Sequence, residues 1–223
     1  MTFNEYPDRD LMMLAVANAL GSEIASFLRR QDRVTLSVPG GTTPGPVFDV
    51  LSGLDLDWAR VAVVLNDERW VPESSPRSNT ALVRARLLQG RAAAATLVPL
   101  VNDAATPEDG MAALAEGLAP HLPLTILLLG MGEDMHTASL FPGADRLTEA
   151  LARDAPPLMA LRAAGVAEPR ITLTAPVLRG AMATHVLITG AAKRAALEQA
   201  AGMPETEAPI NVVLGDATVH WAE

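Results

Sequence analysis

The chain has 223 residues, of which 49% are hydrophobic and 19% are charged, and this composition predicts a globular protein rather than a disordered one. Its formal net charge of −9 argues against a nucleic-acid partner, because binding to a phosphate backbone requires a basic surface. The absence of cysteine excludes disulfides and thiolate metal sites.

The amino-terminal segment carries Glu5, Asp8 and Asp10 and lacks the basic region and cleavage site of a secretory signal peptide. No uninterrupted apolar run approaches the ~20 residues that a membrane span needs. We therefore expect a cytoplasmic protein with no membrane partner. Because α/β proteins of this length commonly form one domain, residues 1–223 are expected to do so.

The first elements are a helix and a strand. Apolar residues recur at helical spacing from Leu14 to Leu28, with Asp10 as a plausible N-cap, and Val34–Val38 reads as a short strand. The strand ends at a glycine-rich turn before another helix, in the order Pro39, Gly40, Gly41, Thr42, Thr43, Pro44. Such a turn suits an anion, since free N–H groups and the positive helix end point the same way, although an ordinary tight turn would look alike. It matches neither GxxxxGK[ST] nor GxGxxG, so ATP and NAD are not indicated.

A second buried strand, Val61–Leu65, is followed by the charged residues Asp67, Glu68 and Arg69 and then by Trp70. Charges packed between apolar segments are costly to desolvate unless they pair with each other or meet a ligand. Both interpretations are open, and Asp67 and Arg69 are therefore candidate site residues.

The apolar run Leu124–Leu129 predicts a central strand that is buried on both faces. It ends at a turn containing Gly130 and Gly132, and the titratable residues Asp134 and His136 follow. Open α/β sheets bind ligands beyond the carboxyl ends of their central strands, so this cluster is expected to carry chemistry. The alternative is a half-exposed loop histidine beside glycines that only shape the turn.

The last third of the chain offers two further cations. Residues 144–168 are expected to form short helices and loops, and the next strand begins at Arg170, which either contacts a substrate or pairs with an acid. Lys193 is the only lysine and stands in the first turn of a predicted helix, Ala191–Ala201. A cation opposes the helix dipole there unless an anion is bound, and the compact ammonium suits phosphate.

Two more strands, Ile210–Leu214 and Val219–Trp221, are predicted to close the chain. The alternation of buried strands with helices indicates an α/β fold with a mostly parallel, doubly wound sheet covered by helices on both faces. The four histidines show no HExxH or comparable spacing, so no metal site is predicted.

Several separated segments between Val34 and Trp221 together resemble the 6-phosphogluconolactonase family of sugar-lactone hydrolases. The matching strings are the SGGSTP-type turn, NDERWVPxxxPxSN from Asn66, GMGEDxHTASLFPG from Gly130, PRITLT from Pro169 and the Thr-Gly-x-x-Lys segment. One residue departs from the family pattern, since Met135 stands where the family usually has glycine. If that position needs a positive φ, the methionine is strained.

The resemblance implies the sugar-phosphate isomerase/deaminase architecture and the hydrolysis of 6-phospho-D-glucono-1,5-lactone to 6-phosphogluconate in the pentose phosphate pathway. His136 would be the general base that activates water, oriented by Asp134 or Asp67. Backbone N–H groups of the glycine turns, with Arg69, would stabilise the oxyanion.

The same resemblance implies a phosphate site made of Lys193, the Gly40–Thr43 turn and either Arg69 or Arg170, with no metal or organic cofactor. The partner is then a small phosphorylated sugar lactone, bound by a monomer or a small homo-oligomer.

Two alternatives remain. One is a sugar-phosphate isomerase or deaminase. The deaminases typically carry an Asp-Glu-Tyr sequence in the segment where this chain continues with Arg69 and Trp70, and a glutamate in the region of Ser139 to Phe141. Both differences favour the lactonase. The other alternative is a non-catalytic sugar-phosphate sensor on the same scaffold.

Overall fold

The computed structural model describes residues 1–223 and contains ten strands and eight α-helices. The strands, numbered in chain order, are β1 (Thr2–Glu5), β2 (Val34–Val38), β3 (Val61–Leu65), β4 (Asp67–Arg69), β5 (Thr96–Val98), β6 (Ile126–Gly130), β7 (Leu158–Leu161), β8 (Arg170–Leu173), β9 (Ala183–Thr189) and β10 (Thr218–Ala222). The helices are α1 (Arg9–Leu28), α2 (Gly45–Ser52), α3 (Asn79–Arg86), α4 (Pro107–Leu118), α5 (Leu147–Leu151), α6 (Ala175–Arg179), α7 (Ala191–Ala200) and α8 (Asn211–Leu214).

Seven strands form one parallel sheet in the order β1-β10-β9-β6-β2-β3-β5. All residues of β2 and β3 are buried, as expected for strands that helices cover on both faces. The predicted α/β class is therefore confirmed. The prediction of a central strand is confirmed as well, because β6 is the fourth of the seven strands.

The order of the strands creates a crevice between β2 and β6. From β2 the chain continues to β3 and β5 on one side, and it later adds β6 on the other side. Loops that leave the carboxyl ends of such neighbours diverge, and ligands of open α/β sheets bind in the space between them. The buried side-chain amide of Asn66, directly after β3, links β2 and β6 here. It accepts a hydrogen bond from Ser37 Oγ in β2 (2.5 Å) and donates one to the carbonyl of Leu128 in β6 (2.8 Å).

A smaller antiparallel sheet, in the order β4-β8-β7, lies outside the predicted architecture. The strand that begins at Arg170 is confirmed, but residues 158–161 form a strand where only short helices and loops were expected. The charged triplet of β4 carries no apolar period, so only its pairing with β8 makes it a strand. This pairing sets Arg69 directly opposite Arg170.

Two further predictions differ from the structure. The N-cap of helix α1 lies two residues earlier than expected. Asp8 rather than Asp10 caps the helix, and its side chain accepts a hydrogen bond from the N–H of Leu11 (2.8 Å). The strand predicted at 210–214 is wrong, since α8 lies there. Periodicity does not separate short apolar strands from helices, and β10 already pairs on both edges with β1 and β9.

Helix α1 is long and apolar enough to resemble a membrane span, with 20 residues and a mean hydropathy of 1.6 over its most apolar window. Polar residues interrupt its apolar ones, so the helix does not appear as an uninterrupted apolar run in the sequence. In the structure, 44% of that window is buried inside the protein, including Met12, Val16 and Leu20. A core helix of a globular protein has the same properties, so the resemblance is weak evidence for a membrane span.

A buried polar chain crosses one end of the large sheet. The hydroxyl of Tyr6 contacts His220 Nδ1 (2.8 Å), His220 Nε2 contacts His185 Nδ1 (3.0 Å), and His185 Nε2 contacts Glu23 (3.0 Å). With Glu23 as a carboxylate, one direction of donation satisfies all three bonds, and each imidazole then carries its proton on Nε2. Burial, and to a lesser extent the neighbouring His185, lowers the pKa of His220 to about 4.

These hydrogen-bonded histidines make the free energy of unfolding depend on pH. The unfolded protein takes up a proton on residue 220 below about pH 6.5, whereas the folded protein does so only below about pH 4. The free energy of unfolding should therefore fall as the pH drops through this window, by up to about 3 kcal/mol. Urea denaturation near pH 7 and near pH 5 measures the change. In His220→Gln, which keeps a donor and an acceptor, the fall should be smaller, and an unchanged fall would contradict the assignment.

Candidate active site

A cavity of about 340 Å³ lies at the carboxyl ends of the central strands. Loops from distant parts of the chain line it, and it brings together most of the residues proposed from the sequence. These are Gly40, Gly41, Thr43, Asp67, Arg69, His136, Arg170 and Lys193. Thr42 and Asp134 do not line the cavity themselves, although Asp134 contacts His136.

The structure pairs His136 with Asp134. Nδ1 of His136 lies 2.5 Å from Oδ1 of Asp134, and the same oxygen accepts from the backbone N–H of His136 (3.3 Å). A carboxylate only accepts hydrogen bonds, so Nδ1 carries the proton and Nε2 is left with a free lone pair. The imidazole lines the cavity, and this tautomer can take a proton there. Asp67, the other carboxylate considered for this role, contacts Ser139 and Arg170 instead.

Two residues with left-handed backbone flank the histidine. Met135 has φ 65° and Ala138 has φ 49°, a conformation that costs a non-glycine residue about 1–2 kcal/mol. The expectation of strain at Met135 is thus confirmed. The surroundings hold this backbone, because Met135 is buried, its N–H donates to the carbonyl of Gly132, and its own carbonyl accepts from the N–H of Ile210. The loop presents His136 in one fixed direction.

Two arginines enter the cavity from the small sheet. Residues opposite each other in an antiparallel pair point to the same face, so Arg69 and Arg170 are neighbours. Both have a buried Nε with no hydrogen-bond partner, and the ion pair of Arg170 with Asp67 is long, at 3.5 Å. Burial lowers the pKa of the Arg170 guanidinium, with Asp67 opposing that effect. Two neighbouring guanidinium groups that have only one long ion pair with Asp67 are expected to attract an anion.

Lys193 reaches the cavity from the first turn of α7, and the turn after β2 faces the same space. The turn requires glycine at two places. Gly41 has φ +81°, and a Cβ at Gly40 would overlap the amide of Asn79. An ammonium group beside a glycine-rich turn at the start of α2 is an arrangement suited to phosphate.

Sequence reasoning gave no role to three residues that shape this site. The carboxylate of Glu68 accepts from the N–H groups of Arg69 (2.7 Å), Asn79 (2.8 Å) and Thr80 (2.6 Å), and so fixes the loop between β4 and α3. Asn79 donates to the carbonyl of Asp67 (3.1 Å). The one local sequence signal in this loop is Ser78, a typical N-cap residue, which marks the place where the loop ends and α3 begins.

Phe141 is the third residue of this kind. Its ring packs against the imidazole of His136, with 4.4 Å between centroids, and the guanidinium of Arg170 lies 5.7 Å from the centre of the same ring. The ring therefore contacts both the histidine and the buried cation. An aromatic residue in a loop gives no sequence signal for such a contact.

Comparison with known proteins identifies the family of this chain. Residues 7–221 match the family model described as glucosamine-6-phosphate isomerases/6-phosphogluconolactonase. The chain is 40% identical to a 6-phosphogluconolactonase of Mesorhizobium japonicum, over 99% of this chain and 94% of the relative. It is also 40% identical to one from Pseudomonas aeruginosa, over 92% and 90% of the two chains.

Solved structures extend the comparison to the fold. A 6-phosphogluconolactonase from Shewanella baltica superposes with a TM-score of 0.96 at 30% identity, covering 100% of this chain and 98% of the other. A monomeric glucosamine-6-phosphate deaminase superposes with a TM-score of 0.81 at 15% identity, covering 100% and 98%, and this likeness concerns the fold alone.

Proposed function

Because this chain belongs to the glucosamine-6-phosphate isomerase/6-phosphogluconolactonase family, and within it to the lactone-hydrolysing enzymes, we propose that it converts 6-phospho-D-glucono-1,5-lactone to 6-phosphogluconate with His136 as the general base. One observation carries the proposal. Asp134 engages Nδ1 of His136, and the imidazole lines a cavity that also contains Arg69, Arg170 and Lys193.

Water attacks the lactone carbonyl while Nε2 of His136 removes one of its protons. Asp134 stabilises the imidazolium that forms, since its carboxylate stays on the Nδ1 proton. When the C1–O5 bond breaks, the imidazolium returns the proton to the ring oxygen, which becomes the C5 hydroxyl. The products are a carboxylic acid, which ionises in water, and a neutral histidine ready for another turnover.

The negative charge that develops on the carbonyl oxygen needs donors in a place that excludes water. Arg69 is suited to this role, because it lines the cavity and its guanidinium is held by the carbonyl of Arg77 (2.6 Å). Backbone N–H groups of the glycine turns that line the cavity can add to it. No step requires a metal or an organic cofactor.

The phosphate is proposed to bind between Lys193, Arg170 and the Gly40–Thr43 turn. The turn and the start of α2 supply neutral donors, while the two side chains supply positive charge. Several contacts hold this remote end, so the loss of one of them should weaken binding while the others keep the carbonyl near the base.

Lys193→Ala should raise KM about tenfold or more with a small effect on kcat, because it removes a charged contact to a group that does not react. The measurement is steady-state hydrolysis of freshly generated lactone, corrected for spontaneous hydrolysis. Arg29→Ala, which removes one exposed cation at the end of α1, controls for the change in net charge and should leave KM unchanged. An unchanged KM in Lys193→Ala would remove the lysine from the phosphate site.

The test of the function as a whole compares lactone hydrolysis with deamination of glucosamine 6-phosphate by the same preparation. Hydrolysis well above the spontaneous rate, without deamination, is expected. Binding of 6-phosphogluconate without turnover would favour the non-catalytic sensor. We further propose that the enzyme works in the cytoplasm, in the pentose phosphate pathway, as a monomer or a small homo-oligomer, which gel filtration can test.

A further inference from the structure

Asp67 is left without a role once Asp134 is seen to orient His136. Its side chain is buried, with 7% of the residue exposed, and it lines the cavity. Only one of its oxygens is used. Oδ2 accepts from Ser139 Oγ (2.5 Å) and lies 3.5 Å from Nη1 of Arg170, whereas the structure gives Oδ1 no hydrogen-bond partner.

The free oxygen is held in a fixed position. Ser139, whose hydroxyl donates to Asp67, is fully buried. Its backbone N–H donates to Thr172 Oγ1 (3.1 Å), and this bond holds the serine in place. The backbone of Asp67 lies in β4, opposite Thr172, and its carbonyl accepts from the amide of Asn79 (3.1 Å). Oδ1 is not among the enclosed unpartnered atoms, so its open side faces the cavity.

A buried carboxylate oxygen needs a donor, and its chemistry limits what the donor can be. The carbonyl, the ring oxygen and the phosphate dianion of the lactone only accept hydrogen bonds. The hydroxyls on C2, C3 and C4 are the only donors that such a substrate offers.

We propose that Asp67 determines specificity, with Oδ1 accepting a hydrogen bond from one ring hydroxyl of the sugar lactone. This inference depends on the proposed function, because it assigns the substrate's hydroxyl face to the same cavity. It differs from a role in proton transfer, in which Asp67 would act on water whatever hydroxyls the ring carried.

The experiment measures kcat/KM for the parent lactone and its 2-deoxy, 3-deoxy and 4-deoxy analogues with the wild type, Asp67→Ala, Asp67→Asn and Asp134→Asn. The wild type should disfavour one analogue by about 10- to 100-fold more than the other two, the range of a hydrogen bond to a charged group. In Asp67→Ala this difference should disappear, and in Asp67→Asn it should shrink. Asp134→Asn is the matched control, because it also neutralises a carboxylate of the site but should slow all four substrates by a similar factor.

If Asp67→Ala slows all four lactones equally, or if the wild type accepts all three analogues as well as the parent, the proposal is overturned. Asp67→Asn preserves the shape beside Arg170 and keeps the test valid if the alanine variant fails to fold. Calorimetric binding of 1,5-anhydroglucitol 6-phosphate and its deoxy analogues needs no turnover. Hydroxyl-dependent binding without lactone hydrolysis would therefore contradict the proposed function while leaving the contact to Asp67 intact.

Discussion

Replacing His136 by alanine should lower kcat for lactone hydrolysis by about two to four orders of magnitude, the usual contribution of a general base. The reason is geometric. Asp134 engages Nδ1, so Nε2 is the only nitrogen of this imidazole that can accept a proton in the cavity. Arg69, Arg170 and Lys193 remain in the variant, and KM should therefore change much less than kcat.

The measurement requires a no-enzyme control, because the lactone also hydrolyses spontaneously. His136→Gln is a useful companion variant, since its amide retains polarity but accepts no proton at neutral pH, and it should be about as slow as the alanine variant. His121→Ala is the matched control, because this histidine lies outside the cavity. Turnover near the wild-type value in folded His136→Ala would refute the role of the base.

The parts of the fold that were predictable are those in which local pattern and environment agree. The apolar strands β3 and β6 are covered on both faces, so their composition alone identifies them. The strand β4 and the helix α8 depend on contacts with residues far away in the sequence. Each has only three or four residues, which is too few for a periodic pattern to predict its conformation.

The same distinction applies to the site. Glycines, a lone lysine and a histidine after a strand are local signals, and the structure places them around one cavity. The division of labour between the two carboxylates was not predictable. Asp67 and Asp134 each come shortly after a buried strand, so their places in the sequence look alike. Only the tertiary structure brings Asp134 to His136, and Asp67 to Ser139 and Arg170.

The position of Gly132 connects the backbone to the proposed chemistry. A Cβ at this residue would lie within 3.0 Å of Nδ1 and Cε1 of His136 and of Oδ1 of Asp134, closer than real Cβ atoms come. Its carbonyl accepts from Met135 and its N–H donates to His136, so this short turn has little freedom to move aside. The glycine is therefore required by the pair itself, since its φ is not in the left-handed region.

Gly132→Ala should consequently lower kcat about 10²-fold without removing any polar group of the site, because it displaces the base from its carboxylate and from the carbonyl it serves. Gly117→Ala is the matched control. That glycine lies exposed in α4 with nothing within 4 Å of an added Cβ, and its replacement should leave kcat unchanged and raise stability by about 0.5–1 kcal/mol.

The two variants separate positioning from folding. If Gly132→Ala retains the thermal stability and lactone affinity of the wild type but loses turnover, the contact between Asp134 and His136 is what the glycine protects. If it turns over normally, the imidazole does not need the geometry seen here, and the assignment of Nε2 as the proton acceptor loses its structural basis.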